Sequence, residues 1–241
     1  MEDVNRFTRF YTDNVPFLLR NMVYKKKTIL DLGAGDGEII YGLWRRGLIG
    51  NDTKVIAVEI SPYRCETMRE MAKQTDINME VIEGDATNLY FLDDHSIDLI
   101  ICNQVLEHIH KEYKVIKEMH RVIKPMNIKE YRANGGRIYL STVFKKPFNF
   151  GYYWNKYGER VLDPTHVREY IDESLVGRLE KYFTIGWNDK TLQCFAITDF
   201  ILKRLGLMGN IYERVKILKW LRYIKLPIMG YFNWEFILWK K

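Results

Sequence analysis

Cysteine is scarce in this chain of 241 residues: Cys65, Cys102 and Cys194 stand far apart. So sparse a set builds neither a disulfide framework nor a paired-cysteine zinc site, and it points to a reducing compartment, the cytoplasm. Long apolar runs are also missing. The longest candidate, Leu226–Trp239, falls short of the roughly 18 residues that span a bilayer and carries Glu235. The opening MEDVNRFTRF is polar and charged, so no secretion or transit signal is expected there. No internal repeat and no low-complexity tract occur, and a hydrophobic content of 47% is enough to bury a full core. Nor is there a net charge on most of the chain. Nine of the 37 basic and only three of the 31 acidic residues lie from Asp199 onward, so the preceding part is balanced and the tail holds the whole excess of +6. That distribution argues against a domain that binds nucleic acid over its whole surface and draws attention to the tail.

What is present is an alternation of short apolar runs with amphipathic stretches. Residues 3–22 have helical spacing, with Pro16 expected to kink or split the helix. Thr28–Leu32 reads as a strand, residues 33–37 as a turn and 38–46 as a helix. Lys54–Val58 reads as a second strand ending at Glu59, and Ser61-Pro62 opens a helix, with serine as cap and proline at its first position. Further strands are expected at 79–82, 97–102 and 137–143, near 183–187 and at 231–239, with helices at 111–124 and from Asp172 to about Tyr182. Strands alternating with helices predict an α/β fold: a doubly wound, mostly parallel seven-stranded sheet with helices on both faces (Rossmann-like) and a helical, aromatic cap. The expected organisation is a single domain over 1–241: an N-terminal helical segment at 1–27, a cofactor-binding core at 28–195, a basic helical insertion at 196–230 and a final strand at 231–241.

The chemistry is concentrated at strand ends. Asp31-Leu-Gly-Ala-Gly-Asp-Gly37 follows the first strand, where glycines let a ligand approach the backbone and where open parallel sheets bind their ligands. Glu59 ends the second strand, positioned to accept hydrogen bonds from ribose hydroxyls. A dinucleotide such as NAD would set its pyrophosphate on the glycine turn. Here Asp31 and Asp36 would repel it, and Glu38 stands where the dinucleotide fingerprint has glycine. An NAD-dependent oxidoreductase is therefore the less favoured reading. A cofactor with an ammonium and a sulfonium and no phosphate suits the acidic turn. Gly84-Asp85-Ala86 follows the third strand, and Asn103-Gln-Val-Leu-Glu-His108 the fourth.

With His120-Arg-Val-Ile-Lys-Pro125, these motifs resemble, in order and over roughly residues 28–183, the class I S-adenosylmethionine (SAM)-dependent methyltransferases, in particular the group with small-molecule and lipid- or sugar-related acceptors. The resemblance implies that Asp31, Gly33, Ala34 and Gly35 hold the methionine end of SAM. Glu59 would take the ribose, Ile60 would lie along the adenine, Asp85 and Ala86 would read its edge, and Asn103 would face the sulfonium side. Where that family follows Lys-Pro directly with two glycines, residues 126–134 intervene here before Gly135-Gly136.

No metal-ligand set is visible, and no Asp/Asn-Pro-Pro-Tyr or Pro-Cys motif marks a base methyltransferase. His166, in Asp163-Pro-Thr-His-Val-Arg-Glu-Tyr170, and His108 are the candidate catalytic bases, weighed against roles in capping or packing. Seven aromatics between Phe144 and Tyr157 read as a lid packed on the sheet, an acceptor wall, or both. In the tail, residues 199–225 place aliphatics at helical spacing beside Arg214, Lys216, Lys219 and Arg222. That pattern fits helices packed on the core, or a peripheral contact with an anionic membrane surface near a lipid-linked acceptor. An RNA or protein methyltransferase that grips its substrate with this segment is the alternative.

Overall fold

The computed structural model describes residues 15–126, 135–149, 153–196, 221 and 224–241. The helices are α1 (Phe17–Met22), α2 (Glu38–Arg45), α3 (Pro62–Gln74), α4 (Glu112–Val122) and α5 (Ser174–Glu180). The strands are β1 (Thr28–Leu32), β2 (Lys54–Glu59), β3 (Met79–Glu83), β4 (Leu99–Asn103), β5 (Arg137–Lys145), the short pair β6 (Tyr153–Trp154) and β7 (Arg160–Val161), then β8 (Phe183–Ala196) and β9 (Lys225–Lys240). The expected seven-stranded sheet is present, in the order β3-β2-β1-β4-β5-β9-β8. The first five strands run parallel, and β9 pairs antiparallel with both β5 and β8.

The strands are near-continuous apolar runs because both faces of the sheet are covered. Successive side chains alternate between the faces. Leu30, Leu32, Ile56, Val58, Ile100 and Cys102 pack with Val115, Ile116, Met119 and Val122 of α4 and Leu175 and Leu179 of α5. Ile29, Val55, Leu99, Ile101 and Tyr139 pack with Leu19 and Met22 of α1 and Ile40 and Leu43 of α2 on the other face. The chain winds outward from β1 through β2 to β3, then returns to lay β4 on the opposite side of β1. That reversal opens a crevice at the carboxyl ends of β1 and β4, where ligands of such sheets bind.

Pro16 stands at the N-cap of α1, a helix boundary of the kind expected of a proline that splits a helix; residues 3–14 lie outside the described part. Three differences from the sequence expectation have local causes. The fourth strand begins at Leu99, with Ile97 making only an isolated bridge to Ile123. β8 continues to Ala196 instead of stopping near Trp187, and β9 begins at Lys225 instead of Tyr231. Lys190, Thr191 and Gly230 break the apolar pattern, yet the two strands satisfy each other's backbone out to the Ala196↔Lys225 pair, across two register shifts. Part of the expected 196–230 insertion is therefore strand. Residues 197–220 lie outside the described part, so the helical reading of the basic tail does too. No helix among the described residues is long and apolar enough to cross a membrane.

Candidate active site

The turn after β1 is built for close approach. Gly33, Gly35 and Gly37 all have positive φ, at 69°, 58° and 80°. A Cβ on Gly33 would stand 2.6 Å from Cγ2 of Val105, so only glycine fits there. The amides of Gly33 and Ala34 both donate to Val58 O, at 2.8 and 3.0 Å, which folds the turn over the end of β2. Inside it, the Asp31 side chain is 3% exposed, and its Oδ2 has no hydrogen-bond partner among the described residues. Burial first, and the Glu59 charge second, push its carboxyl up to about 7.

Glu59 is buried and braces the turn: Oε2 accepts from Gly35 N and Oε1 from Ser61 N, both at 2.9 Å. Two of the roughly four acceptor positions of a carboxylate remain. Asp85 is exposed, its Oδ1 accepting from Thr87 N at 2.8 Å, while Ala86 is buried. The Ile60 side chain projects into solvent, 70% exposed, an apolar surface at the end of β2. Asn103 Oδ1 accepts from Ser141 Oγ at 2.7 Å.

Five of the residues expected at the cofactor, namely Asp31, Gly33, Ala34, Gly35 and Asn103, line one cavity of about 290 Å³. Glu59, Ile60, Asp85 and Ala86 are not among its lining residues and follow the ends of β2 and β3 instead. Arg64 and Gln104, which sequence reasoning did not single out, do line it. Gln104 has φ 56°, a left-handed conformation uncommon outside glycine. Its Nε2 donates to Asn233 Oδ1 at 2.8 Å, so β9 holds the far wall of the cleft.

The two histidines meet just beyond Gln104. His108 closes a 3₁₀ turn (Leu106–His108), and its ring packs edge-on to that of His166 with centroids 4.8 Å apart. His166 is buried, and its Nδ1 lies 2.7 Å from Glu169 Oε1. Glu169 in turn pairs with Lys145 at 3.3 Å. His108 is exposed, and its Nδ1 lies 3.1 Å from Thr165 Oγ1, whose hydroxyl donates to Asp163 Oδ1 at 2.6 Å. Although the residue is exposed, the protein packed around its ring partly desolvates the His108 imidazole; that desolvation, then the neighbouring His166, hold it below its usual range, with the Arg64 charge a smaller contributor. Glu107 is fully buried: Oε2 accepts from Thr142 Oγ1 at 2.9 Å, Oε1 has no partner, and burial pushes its carboxyl up to about 7. Glu107, His108 and His166 each offer a donor atom within 4.8 Å of the other two. Sequence spacing hid this cluster, because residues 107–108 and 166 are distant along the chain and β4 and β5 bring them together. Neither Glu107 nor Glu169 was assigned a role from sequence.

The aromatic segment divides. Phe144 packs edge-on to Trp234 at 5.4 Å and takes Lys190 Nζ over its face at 4.2 Å, so it belongs to the sheet. Phe148 and Trp154 are exposed, and Tyr157 OH lies 3.0 Å from His110 Nε2. Phe150 and Tyr152 lie outside the described residues.

The crevice at the β1/β4 reversal is floored by a glycine turn with a buried acid. Residues 29–126 match the family model described as a methyltransferase domain. Among curated proteins, the chain is 26% identical over 127 residues to a ubiquinone biosynthesis O-methyltransferase of Coxiella burnetii, covering 53% of this chain and 48% of the relative. It is 24% identical over 147 residues to the protein of the same name in Saccharophagus degradans, covering 61% and 54%. The chain thus spans about half the length of the curated relatives it matches. Among solved structures, the cyclase SpnF superposes with a TM-score of 0.64 at 18% identity, over 95% of this chain and 80% of its own. An arsenic(III) SAM methyltransferase from Chlamydomonas reinhardtii superposes at 0.58 and 18% identity, over 98% and 73%. At such identities these two likenesses show the fold alone.

Proposed function

We propose that the protein is a SAM-dependent methyltransferase whose acceptor is a hydroxyl on a small molecule or on a lipid- or sugar-linked compound. The observation that carries the cofactor assignment is the Asp31 Oδ2 atom, buried and without a partner in the cleft. Such an oxygen is costly unless a cation meets it. The ammonium of the methionine moiety is such a cation, and SAM has no phosphate for Asp31 and Asp36 to repel. The residues present therefore fit SAM. Asp31 takes the ammonium, and Gly33, Ala34 and Gly35 admit the methionine backbone. Glu59 uses its remaining acceptor positions for the ribose hydroxyls, and Ile60 covers one face of the adenine. Asp85 and the Ala86 amide meet the adenine edge, and Asn103 faces the sulfonium side. When bound, SAM supplies a methyl group made electrophilic by the sulfonium.

Oxygen as the receiving atom is supported by relatives whose names specify O-methylation and by the histidine pair. Glu169 holds His166 through Nδ1, which leaves Nε2 as the nitrogen to take a proton from a hydroxyl. His108 stands against it as the second candidate base, at the exposed end of the pair. A thermal-shift panel with SAM, S-adenosylhomocysteine and NAD tests the cofactor assignment. The first two should raise the melting temperature and NAD should leave it unchanged. A shift with NAD alone would overturn it.

A further inference from the structure

The geometry points to a divalent-cation site at Glu107, His108 and His166, on the acceptor side of the cleft, with a preference for a first-row transition metal or zinc. This deepens the functional reading above and rests on it for the location of the acceptor.

Three observations converge. The first is composition: two imidazoles and one carboxylate from the ends of two separate segments bring their donor atoms within 4.8 Å of one another. Two histidines and a carboxylate on one side of a cation, with positions left open, form a well-adapted set for zinc and iron-class ions. The second is an orphan. Glu107 is fully buried, yet Oε1 has no hydrogen-bond partner among the described residues, while Thr142 fixes Oε2 at 2.9 Å. A buried carboxylate oxygen left bare in a packed protein calls for a cation. The third is the outer shell. Ligating histidines characteristically give their second ring nitrogen to a carboxylate, directly or through a hydroxyl or water, which fixes the tautomer and aims the free nitrogen. Both rings do so here. His166 Nδ1 is tied to Glu169 at 2.7 Å, and His108 Nδ1 to Thr165 at 3.1 Å, with Asp163 behind the threonine at 2.6 Å. No described residue bonds Nε2 of either ring. A carboxylate thus engages each imidazole at Nδ1, Glu169 directly and Asp163 through Thr165.

Ligand atoms around a tetrahedral ion at about 2.1 Å from each ligand stand about 3.4 Å apart, so the cluster must contract on binding. His108 is the member free to move, because its ring is exposed while Glu107 and His166 are buried. The site adjoins the cofactor cavity: Asn103 and Gln104 line that cavity, and the 3₁₀ turn with Glu107 and His108 follows directly. An open position on the cation would take the acceptor oxygen and acidify its hydroxyl. With the ion bound, both imidazoles would be ligands and the cation would take over the activating role that the metal-free reading gives to His166: the acceptor proton would leave to solvent, the oxygen would use its electron pair for the bond to the methyl carbon, and the sulfonium–methyl bond would break to release S-adenosylhomocysteine.

The test uses the full chain stripped with chelator and titrated with Co²⁺, followed by visible absorption and calorimetry. The expected result is one Co²⁺ per chain with ligand-field bands. His108→Ala and His166→Ala should each weaken binding at least tenfold, and His110→Ala, outside the cluster, should not. His108→Ala removes an exposed ring, so it carries the test if the buried His166 variant fails to fold. Glu169→Gln should weaken the ion roughly ten- to a hundredfold through orientation alone. No cobalt binding by the wild type, or binding undiminished in both histidine variants, overturns the site. SAM calorimetry on the same samples separates the two proposals. SAM binding without cobalt binding overturns only the cation site, and cobalt binding without SAM binding overturns the methyl-transfer reading.

Discussion

Asp31→Asn should make the ligand-free protein more stable at alkaline pH while weakening its grip on SAM. The Asp31 carboxyl is raised from 3.8 to about 7, chiefly by burial. A group whose folded value lies above its unfolded value contributes stability that is fully present below 3.8 and is lost as pH rises through the folded value near 7. The span is about 3 pH units at about 1.4 kcal/mol each, or roughly 4 kcal/mol of self-imposed cost at pH 8. Asparagine keeps the shape and removes that slope. Glu107, raised to about 7 from 4.5 by burial, contributes a slope of the same sign in both proteins, so it cancels in the difference. The assay is urea denaturation of wild type and variant without ligand at half-unit steps from pH 5 to 8. The stability difference should grow steadily in favour of the variant and level off above pH 7. In the same variant SAM affinity should fall roughly ten- to a hundredfold, the loss of one charge-assisted contact worth about 1.5–3 kcal/mol. Parallel stability curves for the two proteins would show that Asp31 is not a buried, unpaired acid, and the argument for a cationic ligand there would fail.

Glu59→Ala removes the acceptor of both Gly35 N and Ser61 N, so it should cost roughly 1–3 kcal/mol of stability as well as SAM affinity; calorimetry showing unchanged SAM binding would refute the ribose assignment. His166→Ala should lower turnover by roughly 10²–10⁴-fold with SAM affinity intact, and full activity with any true acceptor would reduce the residue to a structural one. The tail expectation is tested by liposome flotation: binding should require anionic lipid, weaken with salt and fall when Lys216, Lys219 and Arg222 are changed to Gln, and equal recovery with neutral vesicles would overturn it.

The parts of this molecule that were legible in its sequence are those whose causes are local. Thr28–Leu32 is a buried apolar run followed at once by glycines that must take positive φ, so strand, turn and cofactor cleft are visible within ten residues or so. Ser61-Pro62 starts α3 where those residue types require. The parts that were not legible depend on partners distant in sequence. The extent of β8 and β9 is set by their mutual pairing, which overrides the Lys190, Thr191 and Gly230 that look like interruptions. Gln104 takes a left-handed conformation held by Asn233, more than a hundred residues away. His166 and Glu169 share one short segment, but their meeting with Glu107 and His108 depends on β5 lying beside β4.

The measurement that bears most directly on the account is titration of the full chain with SAM by calorimetry, alongside NAD at the same concentrations. The account predicts saturable one-to-one binding of SAM, strengthening as pH rises from 6 to 8 while Asp31 loses its proton, and no heat from NAD. Binding of NAD, or SAM binding that weakens over that pH interval, would contradict it.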